Sequence, residues 1–273
     1  MAWLAWAAAP SLMEAQLPAG AAAPSDSALW VVQRFFDRDG FPARARHYTG
    51  EMLRHYRDAP TLGSGLAPTV RVTYRPLQRS QQRAAFAATL RDSARAFDWY
   101  LYLVREADGW KLSAVRSLAM PAEFHVLLDS LTATARLPDS LSRLRDRMRL
   151  ATRSDSALAA HLRASAARFD SLASLLRAAP TVELVGHNGR VEPESARDTI
   201  SPRTMALLRA LDLSSAYRSP DYPGCLFLGI VAVADNELGY LYAPPACREP
   251  PIDPELFIYV ERVSGPWYVY KTT

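Results

Sequence analysis

The sequence predicts an α+β fold: helices plus a four-strand antiparallel meander of cone-like form, a helical middle segment, and a small C-terminal antiparallel sheet with one helix. Three observations carry this. Residues 97–118 spell a hairpin, residues 121–179 keep a helical period, and residues 182–270 alternate apolar runs with turn residues.

The hairpin is the clearest. Trp99 to Val104 is an unbroken apolar and aromatic run, as in a strand buried on both faces. Asp108-Gly109 is a tight-turn signal. Trp110, Leu112 and Ala114 then alternate with Lys111 and Ser113. A regular ladder from that turn sets Leu103 opposite Leu112 and Leu101 opposite Ala114, with Trp99, Leu101, Leu103, Trp110 and Leu112 on one face. Such a face requires helices to cover it.

Residues 1–24 are apolar and rich in small residues, like the hydrophobic and cleavage regions of a secretory signal peptide, but without a basic leader, since no Arg or Lys precedes Arg34. Read as such a leader, they predict a secreted or periplasmic protein; the other reading is an Ala-rich tail. Ser25 or Asp26 is the expected cap of a helix through Asp37, ended by Asp39-Gly40. Helical spacing resumes at Ala45, Tyr48, Met52 and Tyr56, interrupted at Thr49-Gly50. Val70, Val72 and Tyr74 mark a half-buried strand ending at Pro76, and Ala84 to Leu90 a second.

Pro121 suits the first position of a helix, and Pro138-Asp139 restarts one. Ser154-Asp155 caps a third, in which Leu158, Leu162, Ser165, Phe169, Leu172 and Leu176 form a heptad seam. That seam over residues 158–176 serves either packing within the chain or a homodimer. His187-Asn188-Gly189 marks a hairpin, Ser201-Pro202 a helix start, and Leu226 to Val233, Leu238 to Tyr242, Leu256 to Val260 and Trp267 to Tyr270 four strands. The resulting layout is a segment 1–24, a cone-like α+β domain 25–120, a helical segment 121–180 and a small α+β domain 181–273.

Composition narrows function without naming it. A hydrophobic fraction of 49% excludes wholesale disorder. The net charge of +4 comes from interspersed charges, which argues against nucleic-acid binding. Lys111 and Lys271 are the only lysines among 32 basic residues, a bias of the kind produced by a GC-rich bacterial genome. No run after residue 25 reaches transmembrane length. Phosphate loop, nucleophile elbow, zinc-protease and dinucleotide motifs are all absent, so no cofactor is called. His47, Glu51 and His55 have ligand-like spacing, but Gly50 interrupts their helix, so no metal site is called either. The arginines from Arg143 to Arg153 read as a solvated, salt-bridged face.

Cys225 and Cys247 lie eleven residues either side of Asn236. A regular hairpin turning on Asp235-Asn236-Glu237 brings them opposite each other as a disulfide, which fits an oxidising compartment.

The run Trp30-Val31-Val32-Gln33-Arg34-Phe35-Phe36-Asp37-Arg38-Asp39-Gly40, then Tyr48-Thr49-Gly50-Glu51-Met52-Leu53, then a meander closing in Asp108-Gly109-Trp110-Lys111-Leu112, resembles the nuclear-transport-factor-two-like (cystatin-like cone) superfamily over residues 25–118. The resemblance implies a curved sheet wrapped around N-terminal helices, in a fold that hosts isomerases, cyclases, dehydratases and binding domains. A ketosteroid-isomerase-like member needs a carboxylate base and an oxyanion donor, for which Tyr48, Tyr74 and Asp98 are the nominees. The primary expectation is an exported bacterial protein without catalysis, binding a small apolar ligand at Tyr48, Tyr74, Trp99 and Trp110, or a protein partner. The alternatives are an isomerase- or cyclase-type enzyme using that aromatic pocket, and a module dimerising through residues 158–176.

Overall fold

The computed structural model describes residues 27–93, 95–233 and 236–273. The leader reading of residues 1–24 and the caps expected at Ser25 and Asp26 lie outside them. Among the described residues the fold is α+β, with a four-stranded and a seven-stranded sheet, both antiparallel.

Helix α1 (Ala28–Phe35) is capped by Ser27, whose side chain accepts from the Trp30 N–H at 3.1 Å. Its Ala28, Val31, Val32 and Phe35 are buried at the i, i+3, i+4, i+7 spacing of one helical face. A 3-10 turn at Arg44–His47 precedes α2 (Gly50–Tyr56), and Gly50 takes a φ of +52°, so the interruption expected at Thr49-Gly50 is present. The Thr49 N–H donates to Leu112 O at 3.0 Å and ties this segment to the first sheet.

That sheet runs β1 (Arg71–Arg79), β2 (Arg83–Arg91), β3 (Ala96–Glu106), β4 (Gly109–Arg116), in that order. Leu103 pairs with Leu112 as the turn predicts. A bulge between Tyr102 and Leu103 then shifts the register, so Leu101 meets Val115 instead of Ala114. The first strand does not stop at Pro76. It bulges between Pro76 and Gln78 and continues, which an edge strand tolerates because half of its N–H groups have no ladder partner.

Four helices follow: α3 (Ala122–Ala133), α4 (Asp139–Ala151), α5 (Asp155–Ala164) and α6 (Ala166–Arg177). Pro121 is an N-cap, one position ahead of the expected site, and the helix expected to restart at Pro138-Asp139 does so, with Pro138 as its N-cap. The single heptad helix is two helices broken at Ser165. Its Leu158, Leu162, Phe169, Leu172 and Leu176 are all buried in the chain's own core, so the seam is filled from within.

The second sheet comprises β5 (Leu184–Gly186), β6 (Val191–Glu192), β7 (Ser215–Tyr217), β8 (Leu226–Val233), β9 (Asn236–Tyr242), β10 (Tyr259–Ser264) and β11 (Trp267–Lys271), in spatial order β10-β11-β9-β8-β7-β5-β6. Helix α7 (Pro202–Ala210) sits between β6 and β7 in the chain, capped by Ser201 through the Thr204 N–H at 3.1 Å. The three-residue β7 has no sequence signal of its own, and the strand expected from Leu256 begins only at Tyr259.

Three apolar clusters result. One lies between α1, α2 and the near face of the first sheet. The largest runs from the far face of that sheet, through the helices, to the inner face of the second sheet, so the two sheets share a core. The third lies on the outer face of the second sheet, under the segment 243–258. Among the described residues no helix is long and apolar enough to cross a membrane.

Candidate functional site

Two polar clusters stand out, one on each face of the second sheet. The inner one grows from strand alternation. In β3, Trp99, Leu101 and Leu103 face α1 and α2, so Asp98, Tyr100 and Tyr102 must face the other way, into the shared core. Asp155, the first residue of α5, meets them there. Its N–H donates to Asp98 Oδ2 at 2.7 Å, and Tyr100 donates its hydroxyl to Asp155 Oδ1 at 2.8 Å. Lys271, at the end of β11, donates to the same oxygen at 2.7 Å, and Arg75 of β1 lies 3.4 Å from Oδ2. Arg75 also pairs with Glu261, which accepts from the Tyr259 hydroxyl at 2.6 Å. The Lys271 ammonium stands 5.5 Å and 5.6 Å from the Tyr100 and Tyr259 ring centroids.

Asp155 and Lys271 expose 2% and 4% of their surface, so solvent and substrate have no path to them. Two carboxylates, Asp155 and Glu261, face two cations, Lys271 and Arg75. Burial, then the Asp155 charge, pushes the Asp98 carboxyl above its ordinary range, and Thr89 donates to it at 2.6 Å. This cluster is linked throughout by ion pairs and hydrogen bonds, and joins the two sheets.

The outer cluster is different. Tyr217 of β7, Glu237 of β9 and Tyr270 of β11 share the face turned away from the helices. Tyr217 donates its hydroxyl to Glu237 Oε2 at 2.7 Å. Burial pushes the Glu237 carboxyl above its ordinary range, against the pull of the Tyr217 and Tyr270 hydroxyls. Among the described residues no Lys, Arg or His pairs with it. The Tyr270 hydroxyl lies beside Glu237 and Tyr217, wholly buried, and forms no hydrogen bond of acceptable geometry. Burial, then the Glu237 charge, holds that phenol in its neutral form.

Two glycines make this arrangement fit. Gly229 and Gly239 are cross-strand partners. A Cβ at Gly229 would lie 2.7 Å from Ser215 Oγ and 2.9 Å from Glu237 Oε1, and one at Gly239 would lie 2.9 Å from the Tyr270 ring. The carboxylate and the ring therefore rest on bare backbone. Aromatic rings wall the face. Tyr217 stacks on Phe227 with centroids 5.1 Å apart, and Phe227 meets Tyr270 edge-on at 5.3 Å.

The segment 243–258 closes one end of this face and is held by the Cys225–Cys247 disulfide, with a Cα separation of 5.1 Å. The pair forms as the sequence predicts, but not through a regular ladder. Asn236 is itself a ladder residue, paired with Val233, and not the centre of the hairpin, and a bulge between Gly229 and Val231 shifts the register further. The ladder ends at Leu226–Tyr242, and a turn in which the Cys247 N–H donates to Pro244 O at 2.8 Å brings the second cysteine back.

The four sequence-nominated ligand residues do converge, on the cluster beneath α1 and α2. Tyr48 and Trp110 are buried there, and Tyr74 and Trp99 are half-buried against it. Their neighbours are other side chains. Phe41 meets Tyr48 with centroids 6.2 Å apart, and Phe36 meets Tyr74 at 5.9 Å. Burial pushes Tyr48 up to about 12. Asp98 points to the opposite face of the sheet, so the proposed carboxylate and tyrosines are not brought together. Glu51 is held by Arg116 at 2.9 and 2.6 Å, and among the described residues no three His, Cys, Asp or Glu side chains gather as for a metal. A surface depression of about 350 Å³ lies between α6 and α7, lined by Asp170, Ser171, Ser174, Leu175 and Arg203.

Sequence reasoning missed Asp155, Lys271, Glu237, Tyr217 and Tyr270. One signal was available: Lys271 is a rare lysine directly after the apolar run Trp267 to Tyr270, where a charge needs a partner. Asp155 looks like an ordinary acid in the first turn of a helix, and nothing local marks Glu237.

Comparison with protein-family models, curated proteins and solved structures returns no match. The functional reading rests on the geometry above.

Proposed function

We propose that this is an exported binding protein, not a catalyst, which takes a small ligand on the outer face of β7, β8, β9 and β11 at Glu237, Tyr217 and Tyr270. The observation that carries it is Glu237: a largely desolvated carboxylate with no basic partner among the described residues, beside the buried Tyr270 hydroxyl, which makes no well-formed hydrogen bond. Buried polar groups left unsatisfied cost stability, and proteins keep them where something else completes them. Glu237 itself is half-buried, so it keeps partial access to water, while Tyr270 is wholly buried. The site offers one carboxylate and no second acid or base set across from it among the described residues, which suits holding a ligand better than moving its protons. Export is supported by the disulfide and by the leader-like residues 1–24.

The test is a thermal-shift and native mass-spectrometry screen of a small-molecule library on the full disulfide-bonded chain, repeated on Glu237→Ala and Tyr217→Phe. Ligands that bind the wild type and lose binding in both variants support the reading. Ligands indifferent to both variants, or turnover of any library member, overturn it.

A further inference from the structure

We propose that the buried Lys271 ammonium and Asp155 carboxylate condense, in the folded chain, into an isopeptide bond that ties the end of β11 to the start of α5. The inference is independent of the outer cluster. The first ground for it is contact. Lys271 Nζ lies 2.7 Å from Asp155 Oδ1, and the two side chains expose only 5% and 2% of their surface. Asp155 is also held from behind, its N–H donating to Asp98 Oδ2 at 2.7 Å. A nucleophile and a carboxyl carbon fixed side by side react as one molecule, without the entropy cost of meeting. The second ground is charge. Lys271 and Arg75 face Asp155 and Glu261, so condensation removes one charge of each sign and leaves Arg75 paired with Glu261. A buried ion pair carries the desolvation cost of two charges, and a neutral amide does not. Before closure the cluster holds by its ion pair; after it, by an amide.

The third ground is that the two oxygens of Asp155 have different partners. Oδ1 takes hydrogen bonds from both Lys271 and the Tyr100 hydroxyl, the latter at 2.8 Å, while Oδ2 faces the Arg75 guanidinium at 3.4 Å. Oδ1 is therefore the oxygen that leaves, and Oδ2 the one on which negative charge develops beside a fixed cation. One ammonium proton passes to Oδ1, and the freed Nζ lone pair forms the bond to Asp155 Cγ. Tyr100 gives its hydroxyl proton to Oδ1 and takes one from the nitrogen. The Cγ–Oδ1 bond then breaks and water departs. Ammonium and carboxylate give amide and water, so atoms and charge balance without a co-reactant. The chain holds its own control in the other lysine. Lys111 donates to Asp108 at 2.6 Å, but Asp108 is exposed on the β3–β4 turn. Water stabilises both ions there, and that pair stays a salt bridge.

The experiment is mass spectrometry of the full folded chain, incubated with its disulfide formed, then reduced and denatured. The wild type should be lighter than its sequence by one water, about 18 Da. A tryptic digest should contain residues 154–163 joined to residues 263–273 through Asp155 and Lys271. Lys271→Arg, which keeps the cation but not the amine, should show the full mass. Tyr100→Phe and Arg75→Met, sampled over time after refolding, should each close about tenfold more slowly or worse. If Lys271→Arg does not fold, the wild-type mass and the joined peptide decide alone. A folded wild type that keeps its full mass overturns the proposal. So does a water lost elsewhere, as a succinimide at Asp39-Gly40 or Asp108-Gly109, or in a bridge between Lys111 and Asp108.

Discussion

Asp155 and Glu237 are two acidic side chains on opposite faces of one sheet, and the fold treats them in opposite ways. Asp155 is met by a lysine, an arginine and a tyrosine hydroxyl, and that lysine in turn stands over the rings of Tyr100 and Tyr259. Glu237 has one tyrosine hydrogen bond, a second tyrosine hydroxyl beside it without a well-formed bond, and no cation among the described residues. Burial alone does not separate a structural carboxylate from a functional one. Compensation does. The inner cluster is held together by its own ion pairs and hydrogen bonds and joins the two sheets; the outer one, on the function proposed above, is completed by a ligand.

The largest expected effect breaks the inner cluster. Lys271→Met leaves Asp155 buried without its main cation and should cost about 3–5 kcal/mol in urea unfolding. Adding Asp155→Leu to it should recover much of that loss, because the uncompensated charge goes too. A cost under about 1 kcal/mol for Lys271→Met would mean the inner cluster is not what joins the sheets.

Next comes the staple beside the outer cluster. Replacing Cys225 and Cys247, 22 residues apart, by alanine should cost about 2–4 kcal/mol. Hydrogen exchange should show the loss concentrated in the segment 243–258 and around Phe257, with β3 unaffected.

The comparison is sharpest at the paired tyrosines. Tyr100→Phe removes a bond to a buried carboxylate and should cost about 1–3 kcal/mol. Tyr270→Phe removes a hydroxyl without a well-formed hydrogen bond and should change stability by less than about 0.5 kcal/mol in the unliganded chain. Equal losses at both positions would erase the distinction between a satisfied and an unsatisfied cluster.

The smallest effect is a slope. Glu237 has its carboxyl raised in the folded state, so its contribution is fully present below the ordinary glutamate range and is lost as pH rises through the raised value. Glu237→Gln should therefore melt increasingly above the wild type as pH is raised from roughly 4 to 8. Glu51, held below its ordinary range chiefly by its hydrogen bond to Arg116, has the opposite sign: its contribution is lost as pH falls through the lowered value. Glu51→Gln should thus lose stability relative to the wild type at neutral pH and converge with it in acid.

What the sequence made legible is what is local. The β3–β4 turn is written in Asp108-Gly109, the α7 cap in Ser201, and the two-face burial of β3 in its unbroken apolar run. Bulges were not legible, since one extra residue at Tyr102 or Gly229 leaves no mark in composition yet shifts every pair beyond it. The disulfide partners were foreseen while their route was not, because a turn at Pro244 replaced the regular ladder. The candidate site was least legible. Tyr217, Glu237 and Tyr270 come from three strands, one of them only three residues long, and no spacing rule connects them. The inner cluster is as scattered: Asp98, Asp155 and Lys271 come together only once both sheets exist.

The chain's two lysines are both folded away. Lys111 is 7% exposed and bound to Asp108 and the Arg46 carbonyl, and Lys271 is 4% exposed. Arginine carries the rest of the 32 basic positions. Amine-directed labels and crosslinkers that act on lysine therefore find no exposed side chain on the native protein. A lysine-specific endoprotease is likewise inert until the strands holding Lys111 and Lys271 come apart. Cleavage after Lys111 is thus a built-in clock for unfolding of the first sheet, readable on a gel without any added probe.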